Sequence, residues 1–248
     1  MKKAYSVRQV LDKRYKTYPF TGDWEAAFGH PETSGIWLIW GQSGNGKSSF
    51  VMQLCRELVK YDNVLYDSLE EGTGLTMAQS LARHGMADAG SRLNLVCETL
   101  EDLKTRLRQR KSARVVVIDS IQYFGARFEE VHALKRLFPG KLFIFVSQAK
   151  GGVPAGSVAM RTTYEAGLKI MVEGFVAYSK GRYFGERGHY TVWEKGAADY
   201  LRTKNGTAAD IGPAEENENI NQIHEPTNNE AYEENSKEEQ TEEEPVEA

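Results

Sequence analysis

The segment Gly41-Gln42-Ser43-Gly44-Asn45-Gly46-Lys47-Ser48 constrains the fold more than any other stretch of this chain. It matches G-x-x-x-x-G-K-[S/T], a loop whose consecutive backbone N–H groups curl around a phosphate. Glycine is needed because a side chain would obstruct that approach. Lys47 is placed to reach the β- and γ-phosphates, and the Ser48 hydroxyl to ligate Mg²⁺. The helix that follows adds the positive end of its dipole. The candidate nucleotide-binding residues are therefore Gly41, Gln42, Ser43, Gly44, Asn45, Gly46, Lys47, Ser48 and the adjoining Ser49. Such a loop works between a buried strand and a helix. Ile36–Trp40 reads as the strand and Lys47–Lys60 as the helix.

The rest of the chain repeats that alternation. Asn63–Ser68, Leu93–Val96, Val115–Ser120 and Leu142–Ser147 are short, apolar and β-rich. Thr73–His84, Leu100–Arg110 and Phe128–Phe138 carry helical patterns, with Leu100, Leu103 and Leu107 on one face. Nearly continuous apolar strands separated by helices predict an α/β fold with a mostly parallel sheet covered on both sides. After Gln148 the rhythm changes. A Gly-rich stretch, Lys150–Gly156, leads to Leu168–Glu173, Phe175–Ser179 and His189–Glu194, which read as antiparallel strands added at one end of the sheet.

Two further strands end in acids. Val115-Val116-Val117-Ile118-Asp119 has the form of a Walker B element, whose Asp119 orients Mg²⁺. Val64–Ser68 leads into Leu69-Glu70-Glu71, between the phosphate loop and that element. On these residues the chain resembles the RecA-like ATPases, and within them the RadA and DnaB-helicase branch. The resemblance implies that Glu70 polarises the attacking water, with Glu71 the alternative. It extends through Val117-Ile118-Asp119-Ser120-Ile121-Gln122, and through Phe145-Val146-Ser147-Gln148, where Gln148 would sense the γ-phosphate. Ser179-Lys180-Gly181-Arg182-Tyr183-Phe184-Gly185 resembles the Lys-x-Arg element, in which two cations, here Lys180 and Arg182, reach a neighbouring subunit's γ-phosphate. The resemblance covers roughly residues 30–200. It implies a RecA-like P-loop fold, ATP and Mg²⁺ as cofactors, ATP hydrolysis, and a homo-oligomeric ring or filament. The zinc element and protease-like domain of RadA have no counterpart here, nor does the helicase N-terminal domain. A bare core of this kind is similar to the small recombination ATPases of phages and mobile elements.

Charge bears on partners. The overall charge of −4 averages a basic body with an acidic tail: from Pro213 to Ala248 there are 13 Glu and one Lys, leaving residues 1–212 at +8. Such a split belongs either to a protein that meets nucleic acid or to a domain with a solubility tail. In the RecA-like family the loops after the Walker B and sensor strands hold single-stranded DNA. Here these are Gln122–Phe128 and Ala149–Glu165, which makes Arg127, Lys150 and Arg161 the candidate DNA contacts. Tyr123 and Phe124 are either base-stacking groups or core residues. No helix-turn-helix, zinc-finger or RNP motif is present, so sequence-specific recognition is not expected.

Three parts are expected: an N-terminal extension over 1–30, the ATPase domain over 31–212, and a disordered acidic tail over 213–248. The aromatics of the first part pack either on the core or on an adjacent subunit. Cys55 and Cys97 both lie in core-like segments, which excludes a disulfide scaffold and favours a reducing, cytoplasmic setting in a bacterial or phage-infected cell. No apolar run approaches the roughly 18 residues of a membrane span. The expected function is ATP hydrolysis on single-stranded DNA in recombination, repair or replication, with a single-strand-binding or recombination protein as partner. A nucleotide-switched assembly protein with little turnover and a small-molecule P-loop kinase are the alternatives.

Overall fold

Successive side chains of a strand point to opposite sheet faces, and in the computed structural model that alternation builds two separate cores. The structure describes residues 4–204; the expected disordered tail lies outside them. In chain order the elements are α1 (Val7–Leu11), α2 (Asp23–Phe28), β1 (Gly35–Gly41), α3 (Lys47–Leu58), β2 (Val64–Ser68) and α4 (Leu75–Arg83). A 3₁₀ segment, Met86–Arg92, precedes β3 (Leu93–Val96), α5 (Leu100–Leu107), β4 (Val115–Asp119), α6 (Phe128–Leu137) and β5 (Leu142–Lys150). Then come β6 (Val153–Pro154), α7 (Ser157–Glu165), β7 (Leu168–Glu173), β8 (Val176–Ser179), β9 (His189–Thr191) and α8 (Glu194–Lys204).

The strands form one sheet in the order β3-β2-β4-β5-β1-β7-β8-β9, with β6 folded back on β5. Trp37, Ile39, Tyr66, Val117, Ile144 and Ile170 face a core closed by α3 and the N-terminal aromatics. Leu38, Leu65, Val116, Ile118, Phe143 and Phe145 face the other, closed by Leu103 and Leu107 of α5 and Val131 and Leu134 of α6. Burial on both faces is what makes these strands read as unbroken apolar runs.

Several sequence expectations are corrected. Leu168–Glu173 is not antiparallel: β7 lies parallel to β1, with Trp37 opposite Leu168 and Gly41 opposite Val172. A parallel return needs a crossover, and α7 supplies it inside the stretch read as a loop. Of these three C-terminal strands, only β8 and β9 are added by antiparallel pairing, β8 on β7 and β9 on β8. The last predicted strand stops at Thr191, and α8 begins at Glu194. Cys55 is buried, but Cys97 is exposed just past the end of β3.

The N-terminal aromatics divide. Tyr5 and Tyr15 are exposed, whereas Tyr18, Phe20 and Phe28 are fully buried. Tyr18 stacks on Phe20 at 5.6 Å, and Trp24 stacks on Tyr190 of β9 at 4.3 Å. The link from β8 to β9 is sewn to α2 as well: the N–H groups of Arg187 and Gly188 donate to the Ala26 carbonyl, and Gly185 N–H to that of Ala27. Gly185 has to be glycine, because a Cβ there would collide with the backbone carbonyls of Glu25 and Ala26.

Candidate functional site

The phosphate loop leaves β1 at the edge of the sheet where β2, β4 and β5 also end. Gly41 opens it in close contact with β7, where a Cβ would strike the Val172 carbonyl oxygen. Gly44 and Gly46 take left-handed φ values of 77° and 88°, a conformation that favours residues without a Cβ. Gly46 is the N-cap of α3, so the first-turn N–H groups of that helix face the loop.

The loop wraps one wall of a pocket of about 350 Å³. Gln42, Ser43, Gly44, Gly46, Lys47, Ser48 and Ser49 line that wall; Ser68, Glu70, Glu71, Asp119 and Gln148 line the others. Lys47 is buried at 8% exposure. Five predicted elements thus meet in one cavity: loop, helix, both acidic strand ends and the sensor strand. Gly41 and Asn45 are outside its lining. Asn45 is turned to the β7–β8 turn, its Oδ1 accepting from Gly174 N–H at 2.8 Å and its carbonyl from Phe175 N–H at 3.0 Å. It clasps the loop to the sheet.

Asp119 ends β4 opposite Ser68 of β2. The Tyr66 hydroxyl donates to Asp119 Oδ2 at 2.5 Å, which fixes the carboxylate. Burial, then the charge of Asp119, drives the Tyr66 phenol well above its ordinary range, so it stays a donor. The Ser48 hydroxyl and the Asp119 carboxylate are the hard oxygen donors that Mg²⁺ takes through direct or water-mediated contacts, so the residues present fit that ion.

Glu70 and Glu71 are both exposed to the cavity. Glu70 is anchored through its N–H to the Asp119 carbonyl at 3.2 Å, and Gln148 Nε2 points at its Oε1 from 3.5 Å. Gln148 is itself held: its N–H donates to Gln122 Oε1 at 3.4 Å, while Gln122 Nε2 donates to Ser147 Oγ and the Ala155 carbonyl, each at 2.8 Å.

Phe175, expected only as the start of a strand and given no part in the site, closes the pocket from the β7–β8 turn. It is a non-glycine residue at φ 59°, held edge-on to Trp193 at 5.1 Å. Past it lies a second cavity of about 420 Å³, bounded by Ser49, Gln53, Arg83, His84, Phe175, Val192 and Trp193. Tyr66, Ser68, Phe175 and Trp193 carry no motif; only the pairing of strands distant in sequence brings them to the site.

Lys180 and Arg182 sit elsewhere. Lys180 N–H donates to the Lys169 carbonyl and Arg182 N–H to that of Gly167, whose own N–H bonds Ile36 at the start of β1. The phosphate loop begins level with Val172. Five residues of strand, about 16 Å at 3.3 Å each, separate Arg182 from its own loop, more than an arginine side chain spans.

The three candidate DNA contacts also differ. Lys150 is exposed at the end of β5, and Arg127 is exposed at the N-cap of α6. Arg161 is not in a loop but on α7, paired with Glu129 at 3.0 Å and lying 4.0 Å over the Phe128 ring. Its charge is already matched within the chain. Tyr123 is 60% exposed, whereas Phe124 is a core residue against Phe145.

No protein-family model matches this chain, and no curated protein matches it in sequence. Solved structures match it in shape. The KaiC-like protein PH0186 from the archaeon Pyrococcus horikoshii superposes with TM-score 0.53 at 17% identity, over 71% of this chain and 98% of that one. The flagellar accessory protein FlaH from Methanocaldococcus jannaschii gives 0.50 at 16%, over 71% and 92%. No helix among the described residues is long and apolar enough to cross a membrane.

Proposed function

We propose that this chain, whose fold is that of the RecA-like P-loop proteins, hydrolyses ATP as an assembly of copies acting on single-stranded DNA. The observation that carries the reading is the convergence of Lys47, Ser48, Glu70, Asp119 and Gln148 on one pocket. The loop N–H groups and Lys47 hold the triphosphate, and the cavity beyond Phe175 has room for the nucleoside. Mg²⁺ held by Ser48 and Asp119 would neutralise charge on the β- and γ-phosphate oxygens. Glu70 takes a proton from the attacking water, and Gln148, beside it, marks whether the γ-phosphate is present. Arg182 lies too far from its own pocket to serve it, which supports a role for the Lys180–Arg182 element toward the nucleotide of an adjacent copy. The basic balance of residues 1–212, with Lys150, Arg127 and Tyr123 exposed, supports contact with a single strand. Recombination or repair is the setting this reading favours.

The test is turnover of ATP alone and with single-stranded DNA, duplex DNA or RNA. Single-stranded DNA should stimulate most. Lys47→Ala removes the charge that meets the transferring phosphoryl and should lower turnover about a hundredfold or more, with an unchanged circular dichroism spectrum. Undiminished turnover in that variant would refute the site.

A further inference from the structure

Along α3, Ser49, Gln53 and Arg56 recur at helical spacing and share a face, and Lys60 follows in the turn just past the helix. Ser49 lines the phosphate pocket, Gln53 the cavity beyond Phe175, and Arg56 and Lys60 a third, open cleft of about 670 Å³. The opposite side of that cleft is the C-terminal end of α4 and the turn after it, with Arg83, His84 and Gly85. Gly85 has φ 62°, and a Cβ built on it would lie 3.6 Å from the Arg56 guanidinium, so the arginine from α3 reaches right across to the turn.

The charges here are not balanced. Glu57 is the one acid lining the cleft, and Lys60 and the Tyr61 hydroxyl already take its oxygens, at 2.5 and 3.0 Å. Arg56 and Arg83 make no ion pair or side-chain hydrogen bond among the described residues. His84 Nε2 is enclosed without a partner. Desolvation, then the charges of Arg83 and Arg56, holds the imidazole below its ordinary range. The remaining wall, Trp24 stacked on Tyr190, brings no negative charge. Tyr190 stays neutral, since burial and then the charges of Asp23 and Glu57 raise its phenol. Two guanidinium groups from different helices lie beside an unpartnered imidazole, and no carboxylate pairs with either of them among the described residues. A phosphate offers oxygens that accept from both forks at once.

We propose that Arg56, Arg83 and His84 form a second phosphate-binding site, separate from the glycine-rich loop, for a phosphate group on a small molecule or on a nucleic-acid backbone. A bound dianion would also reverse the local field and favour His84 as a third donor.

The imidazole reports its own site. In full-length Lys47→Ala protein, which weakens binding at the loop, the assigned His84 ring signals are followed by NMR while inorganic phosphate or a short oligothymidylate is added. The signals should move and saturate, with the His84 midpoint rising at saturating phosphate. Arg83→Gln and Arg56→Gln should each weaken the response about tenfold, as expected for one lost charge-assisted pair. Both sites of change are exposed, and circular dichroism checks that each variant is folded. A response to inorganic phosphate alone assigns the site to small phosphates; a stronger response to oligothymidylate, lost in the same variants, assigns it to a backbone phosphate. The proposal is overturned if His84 ignores both probes up to tens of millimolar phosphate. It is equally overturned if the double Arg56→Gln, Arg83→Gln protein responds like its parent.

Discussion

Asp67 is wholly enclosed one residue before the wall of the phosphate pocket. Its Oδ1 accepts from Glu98 N–H at 3.0 Å, and its Oδ2 has no partner. Burial is the largest influence on it and pushes the carboxyl up to about 6, against a partial opposing pull from the Glu98 N–H. The unfolded chain therefore loses this proton first as pH rises from about 4. Stability falls through that interval, and the loss is complete above about pH 6, when the native carboxyl is ionised too. A shift of this size corresponds to roughly 2–3 kcal/mol. Asp67→Asn cannot ionise, and its amide oxygen can still accept from Glu98. Relative to wild type it should gain stability progressively between pH 4 and pH 7. Denaturant melts of both proteins at pH 4.5 and pH 8 check this, and an equal difference at the two pH values would show that another group titrates. Nothing in the sequence singled out Asp67. Its strand, Val64–Ser68, was legible as buried, but the enclosure depends on β3 and β4 pairing on either side of it.

Elements with a strong period or a motif at one end were legible from residues alone. The strand–loop–helix of β1 and α3 and the acid-terminated strands β2 and β4 were expected within a residue or two of where they lie. What escaped is governed by contacts at a distance. In α7, Thr162 and Thr163 follow Gly156 and two earlier glycines, a composition that reads as loop; Thr162 is nevertheless buried, with its hydroxyl turned back to the Val158 carbonyl at 2.8 Å. The direction of β7 is set by that helix and is not written in β7 itself. The support of the β8–β9 link, which carries Lys180 and Arg182, was equally hidden, because it depends on α2 meeting that link through Gly185. Gly185→Ala tests that junction. An added methyl would have to push α2 away from the link, and overpacking of this kind costs about 1–3 kcal/mol. The melting temperature should fall, and Trp24, which stacks from α2 onto Tyr190 of β9, should change its fluorescence. An unaltered melting curve would mean that the junction yields freely.

At the scale of the whole molecule, register decides whether one copy can complete its own site. Lys47, Glu70, Asp119 and Gln148 share the sheet edge where β1 ends, and Arg182 is level with the start of β1. A group that meets charge developing only in the transition state can be worth about 10³–10⁵ in rate. If Arg182 serves the next copy, Arg182→Ala should lose most turnover and keep most nucleotide affinity. Glu70→Gln should also be inactive, but through the chain that holds the nucleotide. In a mixture of the two inactive proteins, some pockets with an intact Glu70 would face a neighbour with an intact Arg182. Partial turnover should return, rising with the fraction of mixed contacts and reaching its maximum near equal amounts. Neither variant can recover by mixing if both groups act within one chain, because every chain in the mixture then carries a defect of its own. Light scattering on the same sample establishes that the two proteins co-assemble. A co-assembled mixture that stays inactive rules out the shared site, and Arg182 would then belong to the surface around Glu32 and Lys135 that it already borders.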